Sequence, residues 1–303
     1  MPRRRSASPG RSRRREAGPV ALAVPAVGIV GPGRAGLALA VALRRARIGL
    51  LGVHGRRARP VPPGVALTAG GAPPWLGRAG VVVLAVRDDA LPSCVADLAR
   101  AAPLAPGQVV LHLSGVLTSE VLTPLAALGA RPGSMHPLVA FAPEPAEAAR
   151  QFRGATFVLE GDLHAVAVAD AVVRRLGGAP VTLAPEAKPL YHAGAVFASN
   201  YLVALVAVAA RLMTEAGIGE DRALAGLLPL ARGTLESVAA AGPVAALTGP
   251  IARGDVATVR RHLMALRHAD ADLYRAAARE ALRLARAAGL DEEKAGRLEE
   301  LLR

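Results

Sequence analysis

The 303-residue chain is long enough for about two domains of ordinary size. Hydrophobic residues make up 52% and charged residues 20%, which excludes a disordered chain and falls short of a bundle of membrane helices. The net charge of +13 is concentrated at the start: residues 1–24 hold seven arginines and one glutamate, leaving 30 of the 37 basic and 23 of the 24 acidic residues to the rest. With only four Phe, three Tyr and one Trp there is no platform for base stacking, so nucleic acid is not an expected partner. Cys94 is the single cysteine, which excludes an internal disulfide and a cysteine zinc site and favours the cytoplasm.

In chain order, residues 1–24 lack apolar periodicity and their arginines repel one another, which predicts a basic disordered tail. The apolar run from Pro19 to Val30 imitates a secretory leader, yet no small-residue cleavage site closes it and it continues into a glycine motif. Over 25–184, short apolar runs alternate with helical patterns, the signature of a parallel sheet covered by helices. Strands are expected at Ala26–Val30, Gly49–His54, Val65–Thr68, Val81–Val86, Val109–Leu113, Arg131–Met135, Thr156–Leu159 and Pro180–Leu183. Beyond Pro185 the spacing is helical as far as Arg303, broken at Gly217, between Gly242 and Pro250, and at Gly289. Residues 185–303 therefore read as an all-α substrate and dimerisation domain. The apolar run Ala195–Ala210 is shorter than the roughly 18 to 20 residues of a bilayer span. It reads as a core helix buried in a bundle, with a homodimer and no membrane association expected.

The segment from Gly28 to Gly36, GIVGPGRAG, places GxGxxG directly after an apolar strand and before a helical run. Gly31 suits the tight turn, Gly33 lets backbone approach a pyrophosphate, and Gly36 lets the helix pack closely on its strand; the helix N-terminus offers free N–H groups to the anion. The second strand then ends at His54-Gly55-Arg56-Arg57, close to where an NAD-preferring fold carries an acid for the ribose hydroxyls. Arginines there suit a 2′-phosphate, so NADP is expected over NAD, with Arg56 and Arg57 as readers and Arg34 as helper. The alternative is a solvated basic turn.

Open parallel sheets bind ligands beyond the carboxyl ends of their strands. Ser114 and His136 fall at two such ends and could face the nicotinamide, the histidine exchanging a proton and the serine orienting the same oxygen. The alternatives are that Ser114 caps the following turn and His136 hydrogen-bonds a loop. In the helical half, Lys188, His192, Ser199 and Asn200 form a second polar cluster, His192 and Ser199 lying seven residues apart and so on nearly one helix face. His192 reads as a third catalytic candidate, with Lys188, Ser199 and Asn200 contacting substrate. Pro189 suits a first helical turn and leaves Lys188 at or before the cap. In the loop LTGPIARGD at 247–255, Asp255 fits an N-cap, and Arg253 could clamp a carboxylate or phosphate.

The segments GIVGPGRAG, LHLSG at 111–115, GSMHPLVAF at 133–141, LYHAGAVFASNYLVAL at 190–205 and LTGPIARGD together resemble bacterial Rossmann-like proteins with a C-terminal domain of unknown function, number 2520. The resemblance runs from about Ala26 to Leu284. It implies a Rossmann-type parallel-sheet domain followed by an all-α domain of the 6-phosphogluconate dehydrogenase C-terminal type. More distantly the layout is similar to pyrroline-5-carboxylate reductase and prephenate dehydrogenase. The latter has a strand-end serine and an HPM histidine that handle substrate, which Ser114 and His136-Pro137-Leu138 resemble, with leucine departing from the third position. The expected activity is NADP-dependent hydride transfer to or from a small anionic metabolite; the alternative is an NADP-binding sensor without turnover.

Overall fold

The computed structural model describes residues 24–101 and 104–303, so the expected basic tail lies outside the described residues except for Val24. The chain divides into two compact units at Val196/Phe197. The expected boundary at 184 differs from this division by one helix, whose Lys188 is buried in the first unit.

The first unit is an eight-stranded sheet. The chain runs through β1 (Val27–Val30), α1 (Arg34–Arg45), β2 (Leu50–Gly55), β3 (Leu67–Ala69), β4 (Val81–Leu84), α2 (Leu91–Ala101), β5 (Val109–His112) and α3 (Thr123–Ala126). It continues through β6 (Arg131–Pro137), α4 (Pro145–Ala148), β7 (Thr156–Gly161), α5 (Leu163–Arg175), β8 (Ala179–Thr182) and α6 (Lys188–Val196). Every expected strand forms, with ends moved by one to two residues. The order is β3-β2-β1-β4-β5-β6-β7-β8, so the chain starts in the middle and reverses direction between β3 and β4, which opens a ligand crevice at the carboxyl ends of β1 and β4.

The apolar runs of β1, β4 and β5 are buried along their whole length because helices cover both faces. Their residues alternate between two cores. Val27, Ile29, Val81, Val83 and Leu111 join one with α1 and α5, and Val30, Val82, Leu84 and Val110 join another with α2.

The expectation of a parallel sheet needs one correction: β7 runs antiparallel to β6, and β8 is parallel to β7. A parallel return requires a crossover long enough to carry the chain back along the strand. Between β6 and β7 the only α-helix is the four-residue α4, which packs on α1, so the chain turns back alongside β6.

The second unit opens with a π turn, Phe197–Tyr201, followed by α7 (Leu202–Glu215), α8 (Glu220–Ala246), α9 (Pro250–Arg253), α10 (Val256–Ala265), α11 (His268–Ala287) and α12 (Glu292–Leu301). Its core of Ile251, Val259, Ala278, Leu282, Ala285, Ala295, Leu298 and Leu302 belongs wholly to α9–α12 and the C-terminal end. Helices α7 and α8 each bury a single residue, Ala210 and Ala223. The run Ala195–Ala210 is thus not the buried core helix its composition suggested: Phe197 is 68% and Val203 70% exposed. Apolar composition records that a face needs cover, and within this chain the second unit provides none. The stretches Pro185–Glu215 and Glu220–Arg253 are each long enough to cross a membrane and contain an 18-residue window of mean hydropathy 1.9 and 1.2, so length does not exclude a span as the run 195–210 alone suggested. The first carries Lys188, whose ammonium is bonded among the strands, and the second carries Arg232 and Glu236 at its middle, where lipid would leave both charges unsolvated.

Candidate functional site

At the end of β1 the chain turns through Gly31 at φ +112°, where a Cβ would lie 2.4 Å from the Ala85 carbonyl oxygen, and the Gly31 N–H donates to the His54 carbonyl at 2.8 Å. A Cβ at Gly36 would lie 2.0 Å from the Gly31 oxygen, so α1 packs on its strand only through a bare Cα. Gly33 differs. It caps α1 in an extended conformation, and a Cβ there would come no closer than 4.0 Å to any other group. Nothing inside the protein requires glycine at 33, which leaves its bare face to the crevice. Among the described residues no side chain caps α1, so its first-turn N–H groups remain available to an anion.

The crevice is a cavity of about 980 Å³ lined by Gly31, Gly33, Arg56, Arg59, Ala85 and Arg87 among others. A contiguous hollow of about 660 Å³ is lined by Pro32, Arg56, Arg57, Ala58, Arg59 and Pro60. Arg56 and Arg59 thus face both spaces, Arg57 faces the smaller one, and the exposed Arg34 faces neither. Arg59 was missed by the sequence reading, although the Arg56-Arg57-Ala58-Arg59 spacing carries it. The His54 side chain is turned inward instead of standing where a ribose-binding acid would: its Nδ1 accepts from the Thr68 hydroxyl at 2.9 Å and its Nε2–H donates to the Gly71 carbonyl at 3.2 Å. Burial pushes its proton affinity down. The thiol of Cys94, also on the cavity wall, is pushed up to about 11 by burial, so it is no nucleophile.

These features fit a dinucleotide phosphate: a helix N-terminus without a cap, a glycine left open, and arginines where β2 ends. Gly31, Gly33 and Gly36 would shape its pyrophosphate seat, and Arg56, Arg57 and Arg59 would meet a 2′-phosphate.

A second polar group gathers where β5 and β6 end. His112 is fully buried and pushed to about 3 by burial and by the Lys188 charge; its Nδ1 accepts from the Ser114 N–H at 3.1 Å and its Nε2–H donates to the Thr118 carbonyl at 3.2 Å. The Ser114 hydroxyl oxygen accepts from the N–H groups of Val116 (3.3 Å) and Leu117 (3.0 Å), so this buried side chain holds the turn after β5. On β6, His136 lies 2.7 Å through Nδ1 from the Tyr191 hydroxyl. Burial, then the neighbouring His192 and Lys188, push His136 down to about 4, so the ring is neutral near pH 7. Its Nδ1 and the Tyr191 hydroxyl share one hydrogen bond, whose direction follows the imidazole tautomer. Burial pushes the Tyr191 phenol up, keeping it protonated.

His192 stacks edge-on against His136 with ring centroids 5.8 Å apart, and its Nδ1 is buried without a hydrogen-bond partner among the described residues. Both rings converge on Gly115, where a Cβ would lie 2.5 Å from His192 Nδ1 and 2.9 Å from His136 Nε2. The structure thus brings Ser114, His136 and His192 together and adds Tyr191, which sequence reasoning missed because its partner lies 55 residues away. Lys188 opens α6, as Pro189 suggested, and is completely buried, its Nζ donating to Ser134 Oγ at 2.6 Å and to the Ser114 carbonyl at 3.3 Å.

The remaining candidates lie in the second unit. Ser199 and Asn200 sit in the π turn, exposed, so the seven-residue spacing to His192 crosses a register change and no longer defines one face. Arg253 ends α9, exposed, and Asp255 caps α10 by accepting from the Thr258 N–H at 3.0 Å.

Residues 13–137 match the family model of the Rossmann-like domain, and residues 155–281 match that of the domain of unknown function DUF2520. No curated protein matches the sequence. Among solved structures the chain is similar to protein TM1727 from Thermotoga maritima, at 24% identity and TM-score 0.68 over 86% of this chain and 98% of that one. It is also similar to a reductive aminase from Aspergillus terreus in complex with NADPH and ethyl levulinate, at 19% identity and TM-score 0.56 over 92% of each chain. A third is the pyrroline carboxylate reductase of Plasmodium falciparum with NADP bound, at 12% identity and TM-score 0.54 over 90% of this chain and 99% of that one. At these identities the likeness establishes the fold. The two matches lie in the order that the chain's motifs resemble, a Rossmann-like model followed by DUF2520.

Proposed function

We propose that the protein is an NADP-dependent oxidoreductase that acts on a small, anionic metabolite. One observation carries this reading: the glycine cradle after β1 and the His136–Tyr191–His192 cluster at β5 and β6 share the carboxyl edge of one sheet, as a cofactor seat and a proton source must. Similarity to folds solved with NADPH or NADP supports the choice of cofactor. When bound, the nicotinamide would supply or accept the hydride.

The chain's own part is proton management. Tyr191 holds a proton on its phenol oxygen, His136 is hydrogen-bonded to that oxygen through Nδ1, and the pair can pass a proton to or from a reacting oxygen or nitrogen. His192 Nδ1 offers an unused hydrogen-bonding position beside them, and Ser114 shapes the turn that carries Gly115. Ser199, Asn200 and Arg253 are the substrate-side candidates, each tested by its effect on KM, whereas Lys188, expected among them, is fully buried and spends its hydrogen bonds on Ser134 and the Ser114 carbonyl. The apolar faces of α7 and α8 are covered by a second copy of the chain: Arg232 and Glu236, four residues apart on α8, become reciprocal ion pairs when two such helices pack antiparallel about a twofold axis.

The test is NADPH consumption in a mixed pool of small carbonyl metabolites. Tyr191→Phe and His136→Ala should lower turnover by about 100-fold or more and leave NADP binding intact. Unchanged turnover in both removes the pair from the chemistry, and NADPH binding without consumption favours the sensor reading.

A further inference from the structure

Glu160 stands near the end of β7, where its neighbours Gly161 and Asp162 suggest a solvated turn, yet only 2% of it is exposed. One of its carboxylate oxygens accepts from the Ser119 N–H at 2.9 Å and the Ser134 hydroxyl at 3.2 Å, and the other accepts from the Ser119 hydroxyl at 2.5 Å. Lys188 approaches from α6. Its ammonium donates to Ser134 Oγ and to the Ser114 carbonyl and lies 3.6 Å from Glu160. The Ser134 hydroxyl therefore relays the contact, taking a hydrogen bond from the lysine and giving one to the glutamate. Both hydrogen bonds of the ammonium go to protein groups and the side chain is fully buried, so it is not presented to a substrate.

The clamp joins β6, β7, the turn after β5 and the first turn of α6. Tyr191 and His192 follow Lys188 by three and four residues, hence on the same helix face. We propose that Lys188, seated by Glu160 and Ser134, is a positioning residue that fixes α6 so that Tyr191 and His192 stand against His136, and that it sets a positive charge behind that histidine. The charged and titratable groups around His136 are Lys188, Tyr191 and His192 on α6, His112 on β5 and Glu160 on β7. Burial, His192 and Lys188 all oppose its protonation. Loosening the clamp wets the ring and removes a cation, and both changes make it easier to protonate. The proposal borrows from the oxidoreductase reading only the consequence for turnover; the clamp itself is tested without any substrate.

The experiment is an NMR titration of the histidine Cε1 signals in the full chain, with His136 assigned through His136→Gln. It compares wild type, Lys188→Met and the charge-balanced pair Lys188→Met/Glu160→Gln, the last preserving folding where the first leaves a lone buried carboxylate. Wild-type His136 should titrate near 4. Both variants should move its midpoint up by roughly one pH unit, toward an ordinary histidine, and lose the Tyr191–His136 cross-peak, with NADP affinity unchanged because the glycine cradle lies elsewhere. A folded double variant with the wild-type midpoint and cross-peak overturns the clamp. Failure of wild type to bind NADP overturns the oxidoreductase reading and leaves the clamp standing.

Discussion

Gly31 and Gly33 sit two residues apart in one turn, and the structure assigns them opposite burdens. Gly33 adopts φ −81° and ψ −175°, extended backbone open to any residue, and its nearest neighbour to an added methyl is 4.0 Å away. Gly33→Ala should therefore change stability by no more than about 1 kcal/mol, the gain in unfolded-chain entropy offsetting the loss of a favourable cap residue. At about 2–4 °C per kcal/mol for a domain of this size, the melting temperature stays within about 4 °C of wild type. NADP binding, as proposed at this turn, should collapse, because the methyl would stand in front of the first N–H groups of α1, where a pyrophosphate would bind. Losing two charge-assisted bonds at roughly 1.5 kcal/mol each amounts to about 100-fold in Kd. Gly31→Ala meets both positive φ and a carbonyl at 2.4 Å, so about 3 kcal/mol of strain and steric conflict should lower melting by roughly 6–12 °C. Thermal melts and calorimetric titration with NADP read both effects. A stable Gly33→Ala protein that binds NADP as tightly as wild type would refute the reasoning, since the open glycine would then serve nothing.

Acid sensitivity follows most strongly from His112 and His136, with His54 pushed in the same direction by burial. His112 and His136 bind protons at about 3 and about 4 when folded, against an ordinary 6.5, so as pH falls below 6.5 the unfolded chain takes up protons that the folded one refuses. Stability is complete above about pH 7 and should have dropped by roughly 2 kcal/mol per ring at pH 5. His136→Gln should remove about half of that slope in urea melts, and a pH-independent wild type would contradict it. For the helical unit, Leu230→Glu with Leu235→Glu places like charges on the exposed face of α8. Sedimentation should show a dimer for wild type and a monomer for the variant, whereas a monomeric wild type would remove the second copy.

Local signals carried most of the first unit into view. Strands β1, β4 and β5 are apolar runs between breakers, and the glycine spacing after β1 records a turn whose contacts lie within a few residues, except for the close approach of Ala85. The reversal of β7 was hidden because its residues look alike in either direction, and only the short α4 decides it. Tyr191 and Glu160 were hidden for a related reason: a phenol at a helix start and a carboxylate at a strand end look solvated until β6, 26 to 55 residues away, supplies Ser134 and His136. The uncovered α7 was misread because hydropathy reports demand for burial and is silent on which surface meets it.

Calorimetric titration of the wild-type chain with NADP and NAD, repeated on Arg56→Ala/Arg59→Ala, bears most directly on the cofactor assignment. The account requires NADP to bind at least about tenfold more tightly than NAD and the arginine variant to lose that margin while keeping its NAD affinity, one charge-assisted contact being worth roughly 1.5 kcal/mol. No heat from either nucleotide at millimolar concentration, or tighter binding of NAD, would contradict it.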